Sequence, residues 1–513
     1  MTPAPRPEYV TDVPYVRSFV EELSPARLRL VAALNGFPAP PAEDFDYCEL
    51  GAAHGDTTAT LAAANPSARF VGVDLNPEHI ASANRLAHDG GLANARFLEK
   101  DFTELLREDL PAFDFIGAHG VLSWVGPAKR KAVIEIAAAK LKPGGLLYVS
   151  YNALPGWAAV EPLRRLLLDR GAAVVGGSLE RAKEGLALAK RLSDAGAEYF
   201  ANNPPAKAML ATLERVALPY VVHEYLHAHW APMYFGDVAT DMAASGLHFI
   251  GQLPLFLNYR DLAIPAKLLP LFEGVEDRVT FESLKDYAIN EYFRRDVYVK
   301  GRPPRADDET RAYLDATPFG TALRPGPVGR EVRLPHYTLQ FAGEIFDALL
   351  PALGEGATTV PALAQRPELV GFGLTRIRDA VRRLVLGGQV SPMLHATHAP
   401  LPGDTPDLTI PSLYNRMLLA RPLAADVPIV LAAPAAGTGI ALSMLHAVAL
   451  RLLTEAPHAE RRAWVHALLA RQPFLLKVGG RPVEGDQERA LMAEVEDFRV
   501  TRLPKLMELG VVT

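Results

Sequence analysis

The sequence lacks most of the features that would tie it to an oxidising compartment or to nucleic acid. Its 513 residues include a single cysteine, Cys48, so no disulfide can form within the chain. The 53 lysines and arginines are outnumbered by 59 aspartates and glutamates, and the net charge of −6 differs from the basic balance of a general nucleic-acid binder. These absences favour a reducing compartment, and we expect a cytoplasmic protein that does not bind nucleic acid.

Long apolar stretches are also scarce. The first residues contain no apolar core of the signal-peptide type. One segment without a charged residue, 427–450, has the length of a membrane span, but two prolines and two glycines interrupt it. We therefore predict a buried strand, a glycine-rich turn and a core helix in this segment, and no membrane contact.

Residues 45–151 alternate between strand and helix patterns. Apolar segments suited to strands are separated by amphipathic or alanine-rich segments suited to helices. The predicted strands are 45–51, 68–76, 94–102, 113–121 and 146–152. Repeated strand–helix units predict a doubly wound α/β sheet with mostly parallel strands.

Glycines and acidic residues follow these strands where a nucleotide-like ligand would bind. The turn after the first strand, ELGAAHG, carries Gly51 and Gly55, which let the backbone approach a ligand closely. Asp74 ends the second strand, where an acidic residue can accept hydrogen bonds from ribose hydroxyls. Asp101 ends the third strand, where the adenine edge is expected. A tight turn alone is common, but this order of groups on successive strand ends is far more specific.

The motifs ELGAAHG, GVDLN, EKDF, FDFIGAHGVLSWV and LKPGGLLYVSYNALPGW together resemble class I S-adenosylmethionine-dependent methyltransferases. The pieces HGVLSWV and YNALPGW, with the N-terminal YVTDVPYVRSF, more narrowly resemble methyltransferases that carry a methyltransferase regulatory domain. That group includes bacterial protein-lysine methyltransferases that act on outer-membrane proteins. The resemblance covers residues 9–157 and weakens towards residue 300. It implies a Rossmann-like methyltransferase sheet and S-adenosylmethionine as the cofactor.

The resemblance also assigns roles to residues at the matching motif positions. It implies that the turn after the first strand binds the methionine part of the cofactor and that Asp74 holds the ribose. The implied cofactor-binding residues are Tyr15, Glu49, Gly51, Ala53, Gly55, Asp74, Leu75, Asp101, Phe102, His119, Gly120 and Trp124. The turn departs from the family pattern because Ala53 stands where a third glycine is expected.

Residues beyond the fifth strand are expected to contact the methyl acceptor, because ligands of open α/β sheets bind beyond the carboxyl ends of the strands. We predict His119, Tyr151 and Asn152 as catalytic residues. The predicted acceptor contacts are Trp157, His223, Glu224 and Tyr225. The alternative is that Tyr151 and Trp157 pack a loop and that His119 is a structural histidine. Methyl transfer from a sulfonium mainly requires positioning, so the reaction needs no dedicated strong base.

The segment HEYLH, 223–227, matches the His-Glu-x-x-His motif of zinc metalloproteases. A catalytic zinc needs a third protein ligand and an open position. Trp230 and Met233 stand where the extended motif of one protease class requires glycine and histidine. We therefore predict no metal site and interpret His227 as incidental.

The rest of the chain predicts an insertion and further domains. The predicted division is a cofactor-binding core over 1–157, a helical insertion or lid over 158–231, the end of the sheet with a regulatory-domain-like segment over 232–300, a winged-helix-like domain over 301–400, and a C-terminal α/β domain over 401–513. The segments LHFIGQL and LFLNY are predicted as the last two strands. The fold class is therefore α/β with a helical insertion and a C-terminal α+β region.

Three functions are compatible with the sequence. The first is methylation of a protein side chain, lysine in particular, because the large accessory region suits a bulky acceptor. The second is methylation of a small molecule or natural product at oxygen or nitrogen by the same fold. The third is a cofactor-binding regulator or scaffold without turnover, which the alanine at position 53 would fit.

Overall fold

A seven-stranded sheet forms the centre of the computed structural model, which describes residues 12–13, 17–227, 229–399, 408–422, 427–471, 477–478, 481–482 and 486–513. The strands are β1 (Asp46–Leu50), β2 (Arg69–Asp74), β3 (Ala95–Glu99), β4 (Phe113–Ala118), β5 (Leu141–Asn152), β6 (Leu247–Gln252) and β7 (Phe293–Lys300). Their order is β3-β2-β1-β4-β5-β7-β6. Neighbours run parallel except β7, which is antiparallel to both β5 and β6. The predicted doubly wound, mostly parallel sheet is confirmed.

Helices cover both faces of this sheet. The first five are α1 (Pro25–Leu34), α2 (Asp56–Ala64), α3 (Pro77–Asp89), α4 (Phe102–Leu105) and α5 (Pro127–Lys140). Alternate strand residues point to opposite faces, so Tyr47 and Phe115 pack towards α1 while Cys48 and Ile116 pack towards α5. Two apolar cores therefore sandwich the sheet and fix the positions of its strand ends.

A helical insertion follows β5 and has an apolar core of its own. Its helices are α6 (Glu161–Ala172), α7 (Ser178–Asp194), α8 (Glu198–Asn202), α9 (Pro204–Leu213) and α10 (Leu218–Tyr225). Leu167, Leu210 and Val222 are buried in this core. Asp12 of the N-terminal segment accepts hydrogen bonds from the Ser178 backbone N–H (2.8 Å) and hydroxyl (2.7 Å) at the start of α7. The insertion thus packs as a unit against the end of β5.

The end of the sheet differs from its sequence prediction. Helices α11 (Phe235–Ala244), α12 (Arg260–Ala263) and α13 (Arg278–Ile289) surround β6, which was predicted. LFLNY was predicted as the last strand, but Leu255–Asn258 is a short 3-10 helix that directly follows Pro254. The last strand is instead β7, which reads FRRDVYVK. Its charged residues differ from the apolar pattern by which buried strands are predicted.

Those charges are buried and mutually paired in a cluster that we call the Arg294 network, made of Glu282, Lys285, Asp286, Arg294 and Asp296. The Arg294 guanidinium lies 3.1 Å from the Glu282 carboxylate, 2.5 Å from that of Asp286 and 2.9 Å from that of Asp296. Lys285 lies 2.5 Å from Glu282. All five residues are at most 2% exposed. The network joins α13, which carries Glu282, Lys285 and Asp286, to β7, which carries Arg294 and Asp296. Separating the two elements would leave buried charges unpaired, which is strongly destabilising.

The C-terminal region packs on the outside of the sheet's helices. Its elements are α14 (Asp307–Ala316), β8 (Phe319–Gly320), β9 (Glu331–Arg333), β10 (Thr338–Gln340), α15 (Glu344–Gly354), α16 (Val360–Leu363), α17 (Leu374–Leu386), β11 (Ser391–Pro392), α18 (Leu413–Ala420), β12 (Ile429–Ala433), β13 (Thr438–Leu442), α19 (Met444–Glu455), α20 (Arg461–Arg471), β14 (Lys477–Val478), β15 (Arg481–Pro482), α21 (Gln487–Thr501) and α22 (Leu503–Glu508). The order α15, α16, α17 and β11, with β11 paired to β8, follows the helix order of the predicted winged-helix-like unit, which stays a prediction.

The apolar segment 427–450 is divided between three elements. It forms the antiparallel pair β12–β13, a turn at Gly437 and most of α19. Across the described ranges, no helix is long and apolar enough to cross a membrane.

Candidate active site

A cleft of about 270 Å³ lies at the carboxyl ends of the strands, between the turn after β1 and helix α10. It is lined by Gly51, Ala53, Asp74, Leu75, Asn76, Pro77, His79, Lys100, Asp101, Phe102, His119, Gly120, Val121, Trp124, Val125, Lys129, His223, Glu224 and His227. Most of the residues predicted to bind the cofactor therefore share one cavity, and two predicted acceptor contacts share it with them.

The turn after β1 adopts left-handed backbone conformations at three positions. Gly51 has φ 82°, Ala53 has φ 44° and Gly55 has φ 76°. A Cβ atom on Gly51 would lie 2.8 Å from the Val121 side chain, so only glycine fits there without displacing its neighbour. Alanine at position 53 takes the conformation for which a glycine was expected, at a cost of roughly 1–2 kcal/mol.

The Asp74 carboxylate is held in place from three directions. It accepts hydrogen bonds from the backbone N–H groups of Ala53 and Asn76, both at 2.9 Å, and its Oδ1 lies 3.3 Å from the His79 imidazole. The Ala53 bond ties the end of β2 directly to the turn. Leu75 follows with 45% of its surface exposed and lines the cleft beside Asp74.

Asp101 lies two residues beyond the end of β3 and caps α4. Its carboxylate accepts a hydrogen bond from the Thr103 backbone N–H (2.9 Å) and lies 2.8 Å from the Lys129 ammonium. Burial alone would raise the pKa of Asp101, but the bonds from Lys129 and Thr103 outweigh it, so the pKa lies below its usual value. Phe102 lines the cleft next to this ion pair.

Glu49 and Gly55 lie beneath the turn and are not among the residues that line the cleft. Glu49 is buried and accepts a hydrogen bond from the Thr58 hydroxyl. Burial raises the pKa of Glu49 to about 8, with a smaller contribution from the carboxylates of Asp56 and Asp74. Gly55 precedes α2 and lies so close to Phe97 that a Cβ atom would be 2.7 Å from its ring. Both residues support the turn from below.

His119 follows β4 and lines the cleft. Its Nδ1 lies 2.9 Å from the Tyr148 hydroxyl and 3.2 Å from the Ser150 hydroxyl. Burial, assisted by the nearby Arg295 guanidinium, lowers the pKa of His119 to about 4. The imidazole is therefore neutral around neutral pH.

Tyr151 and Asn152, the last two residues of β5, lie outside the cleft lining. Tyr151 is fully buried and its hydroxyl donates a 2.7 Å hydrogen bond to Asp296, which corrects the expectation that it faces the acceptor. Asn152 is buried, and its backbone N–H donates to the Ser123 hydroxyl at 2.9 Å. Neighbouring β5 side chains point to opposite faces of the sheet, and apolar cores cover both faces, which the sequence pattern alone could not reveal.

Two further predicted acceptor contacts belong to the core of the insertion. The Trp157 ring centroid lies 4.8 Å from that of Trp230, 4.5 Å from that of Tyr292 and 6.1 Å from that of Tyr225. Trp157 and Tyr225 are buried in this aromatic cluster, as the packing alternative for Trp157 had it. Tyr15, predicted to bind the cofactor, lies outside the described residues.

The HEYLH segment contributes to the cleft from the insertion side. Helix α10 ends at Tyr225, so His227 does not continue the helical face that the zinc-protease motif requires. His223 Nε2 lies 2.8 Å from the Val13 carbonyl oxygen. His227, interpreted as incidental from the sequence, lines the cleft with His223 and Glu224. Within the described part of the chain, no three histidine, cysteine, aspartate or glutamate side chains are grouped to hold a metal ion.

Several cleft residues escaped the sequence prediction. They are Asn76, Pro77, His79, Lys100, Val121, Val125, Lys129 and His227. Most of them are neighbours in sequence of Asp74, Asp101 or Trp124, and that proximity could have predicted them. Lys129 was harder to predict from the sequence, because its contact with Asp101 depends on how α5 packs beside α4.

The strand order, the glycine turn and the acidic residues on successive strand ends define a class I S-adenosylmethionine-dependent methyltransferase. Residues 48–147 match the family model of a methyltransferase domain, and residues 218–300 match that of a predicted methyltransferase regulatory domain. The enzyme therefore uses S-adenosylmethionine as its cofactor.

Relatives extend the match to the whole chain. The uncharacterized protein sll1526 of Synechocystis sp. is 30% identical over 507 residues, which cover 98% of this chain and 99% of that one. The uncharacterized protein RP789 of Rickettsia prowazekii is 28% identical over 288 residues, 55% of this chain and 51% of its own. The chain belongs to the same family as sll1526, in which a methyltransferase domain is combined with a methyltransferase regulatory domain.

A solved structure shares the fold from end to end. PKMT2 from Rickettsia typhi, in complex with AdoHcy, superposes with a TM-score of 0.75 at 18% sequence identity. The superposition covers 95% of this chain and 99% of that chain. The insertion and the C-terminal region are thus part of the shared fold along with the cofactor sheet.

Proposed function

We propose that the enzyme transfers methyl groups from S-adenosylmethionine to lysine side chains of a protein acceptor. The observation that carries the proposal is the position of Glu224, which α10 places in the same cleft as the cofactor turn. A carboxylate in a partly enclosed site attracts the ammonium of an incoming lysine. The Trp124 ring lines the same cleft and offers a face to a cationic or alkyl group.

The chemistry needs a neutral amine aligned with the methyl group. The amine nitrogen forms a bond to the methyl carbon while the carbon–sulfur bond breaks and its electron pair stays on sulfur. A free lysine has a pKa of about 10.4, so the amine must lose a proton before it attacks. Burial in the cleft and the positive charge of the sulfonium both favour the neutral amine. The enzyme's part is to position and desolvate the two reactants.

Within this proposal the cleft residues divide between cofactor and acceptor. The turn of Gly51 and Ala53 receives the methionine part, Asp74 the ribose hydroxyls, and Leu75, Asp101 and Phe102 the adenine. His119, Gly120 and Trp124 border the methyl group, and His223 and Glu224 border the acceptor. Asn152 does not line the cleft, and within this proposal its backbone supports the end of β5 through the hydrogen bond to Ser123.

The likeness to PKMT2, whose name denotes a protein-lysine methyltransferase, supports a protein acceptor. Because the likeness includes the insertion and C-terminal region, it extends to the parts that a small acceptor would not require. The lone cysteine, Cys48, is free and buried, which suits an enzyme of the cytoplasm, where we place it.

Radiolabelled methyl transfer tests the proposal. The purified enzyme is incubated with methyl-labelled S-adenosylmethionine and a cell lysate, and the protein and small-molecule fractions are counted separately. Label is expected in protein, and acid hydrolysis should release it as methylated lysine. A lysate whose lysines have been chemically dimethylated serves as the control and should accept much less. Label confined to small molecules, or cofactor binding without any transfer, would contradict the proposal.

A variant of Glu224 tests whether its carboxylate binds the acceptor. Glu224→Gln keeps the shape of the side chain and removes its charge, so KM for the acceptor should rise roughly 10-fold or more, as expected for a lost hydrogen bond to a charged group. The affinity for S-adenosylmethionine should stay the same. Glu161→Gln, on the exposed start of α6, is the matched control and should leave both constants unchanged. An unaltered acceptor KM in Glu224→Gln would remove Glu224 from the acceptor site.

A further inference from the structure

Beneath the cleft, two hydroxyl groups of β5 converge on His119. The Tyr148 hydroxyl lies 2.9 Å and the Ser150 hydroxyl 3.2 Å from Nδ1 of the imidazole. The Ser150 oxygen also accepts a 2.8 Å hydrogen bond from the Gly120 backbone N–H. Tyr148 and Ser150 are two residues apart on one strand and both are fully buried. Because bulk water does not reach these two hydroxyl groups, their hydrogen-bond partners must come from the groups around Nδ1.

Counting donors and acceptors in this set fixes the direction of its hydrogen bonds. The Gly120 N–H donates to the Ser150 oxygen, which leaves the two hydroxyl hydrogens to be placed. Each hydroxyl lies within hydrogen-bond distance of Nδ1 and can donate to it, provided that Nδ1 carries no proton. A proton on Nδ1 would itself need an acceptor and would leave one hydroxyl hydrogen without a partner. Such a stranded buried donor is destabilising by about 1–3 kcal/mol.

The charge of the imidazole completes the assignment of its proton. Burial lowers the pKa of His119 to about 4, and the Arg295 guanidinium acts in the same direction. A neutral imidazole carries one N–H. With Nδ1 occupied as an acceptor, that proton must be on Nε2. No hydrogen bond within the described chain uses Nε2, and His119 lines the cleft.

We infer that Tyr148 and Ser150 are positioning residues that hold His119 as its Nε2–H tautomer, so that His119 donates a hydrogen bond to an oxygen of the bound ligand and takes no proton from the acceptor. The inference rests on the methyltransferase site and holds whether or not lysine is the acceptor. It contrasts with a general-base role, which would need an unprotonated nitrogen facing the cleft. The proton of the acceptor then leaves to water or to another group.

Nitrogen NMR of the histidine side chains tests the tautomer directly. Protein labelled with 15N-histidine gives different nitrogen shifts for the Nε2–H tautomer, the Nδ1–H tautomer and the imidazolium, and His119→Gln identifies the His119 signals. The expected result is a neutral Nε2–H tautomer that does not titrate around neutral pH, with or without S-adenosylmethionine. An Nδ1–H tautomer, or titration near the ordinary histidine pKa of about 6.5, would overturn the inference.

Removing one hydroxyl tests the positioning role. Tyr148→Phe should convert the His119 signals into a mixture of tautomers and lower kcat by about 10- to 100-fold, the range for partners that orient a functional group. Tyr313→Phe is the matched control, because the buried Tyr313 hydroxyl on α14 has no hydrogen-bond partner in the described chain. It should leave the His119 signals unchanged. An unchanged tautomer in Tyr148→Phe would contradict the positioning role.

Two amide substitutions of His119 distinguish a hydrogen-bond donor from a general base. The Gln side chain places an N–H near the position of Nε2, whereas the Asn side chain reaches only the position of Nδ1, and neither amide can act as a base. His119→Gln should therefore keep at least about 10-fold more activity than His119→Asn, since loss of one well-placed donor costs on the order of 100-fold. Equal loss in both, with cofactor binding intact, would favour the base. The NMR readout needs no acceptor, so a failed search for methylated lysine would leave this test independent.

Discussion

The cofactor side and the acceptor side of the cleft are built in opposite ways. The cofactor side comes from β1 to β4 and the turns that directly follow them, with apolar strands and glycines close together in the chain. The side that we propose for the acceptor comes from α10 and His227, in the insertion that follows β5, and β5 itself pairs with β7, whose charges are buried. Cofactor binding is thus encoded locally, whereas the acceptor side depends on contacts between distant segments.

The difference changes the meaning of the segment that matches the regulatory-domain model. Residues 218–300 supply α10, which walls the cleft, and the strands β6 and β7, which complete the catalytic sheet. Seven residues of β5, from Leu146 to Asn152, lie opposite a residue of β7 in the antiparallel ladder. This segment is therefore an integral part of the catalytic domain.

Disrupting the Arg294 network should have the largest effect. Arg294→Met leaves the carboxylates of Glu282, Asp286 and Asp296 buried without their shared partner. The free energy of unfolding should fall by about 3–5 kcal/mol, the range for breaking a buried ion pair. Urea denaturation followed by circular dichroism measures it. Arg165→Met, which removes an exposed pair with Asp169, should cost at most about 1 kcal/mol; similar losses in the two variants would contradict the structural role of the network.

Stability should also fall with rising pH because of Glu49 on the cofactor side. Its pKa of about 8 in the folded protein lies above the value of about 4.3 expected in the unfolded chain. The folded state therefore holds a proton that unfolding releases, so this stabilisation is complete below about pH 4 and is lost as pH rises to about 8. The slope is at most about 1.4 kcal/mol per pH unit.

Replacing the ionisable group isolates this contribution. Glu49→Gln keeps an oxygen for the Thr58 hydroxyl and cannot ionise, so its stability between pH 5 and pH 8 should decline less than that of the wild type. Urea denaturation at several pH values measures the difference. Glu78→Gln, at the exposed start of α3, should follow the wild-type curve. Parallel curves for Glu49→Gln and the wild type would refute the raised pKa.

Removing the Asp74 carboxylate should weaken cofactor binding while the sheet stays folded. Asp74→Ala removes the acceptor for the Ala53 and Asn76 N–H groups as well as the expected ribose contact. Calorimetric titration with S-adenosylmethionine should show a loss of about 1–3 kcal/mol. Asp89→Ala, on the exposed end of the same helix that follows Asp74, is the control. Unchanged affinity in Asp74→Ala would move the ribose elsewhere.

The smallest expected effect is a gain at position 53. Ala53→Gly relieves the left-handed conformation of Ala53, worth roughly 1–2 kcal/mol, but adds freedom to the unfolded chain, worth about 0.4–1 kcal/mol. The net change should be a stabilisation of about 1 kcal/mol or less in thermal or urea unfolding. Ala52→Gly, at a buried neighbour without positive φ, should destabilise. A loss of stability in Ala53→Gly would show that the alanine methyl group packs favourably.

The sequence predicted the two sides of the cleft unequally, and for a physical reason. Asp74 and Asp101 could be placed because each ends a recognisable apolar strand, and parallel strand ends share one edge of the sheet. Tyr151 was misplaced because neighbouring β5 residues point to opposite faces of the sheet, both of them covered, and its hydroxyl reaches Asp296 of the paired strand β7. FRRDVYVK was not predicted as a strand because hydropathy does not register that Arg294 and Asp296 pair with each other in three dimensions.

The packing of the C-terminal region against α2 and α3 has a consequence for synthesis on the ribosome. Apolar residues of both helices, such as Ala59 and Leu86, share a core with Leu506 and Val511 near the end of the chain. The Tyr414 hydroxyl lies 3.0 Å from that of Thr60, and Asn65 donates to the Gly437 carbonyl oxygen. The cofactor-binding segment thus emerges from the ribosome long before Leu506 and Val511, which help to cover its outer apolar surface. Until then, Ala59 and Leu86 lack the apolar partners that bury them in the folded protein.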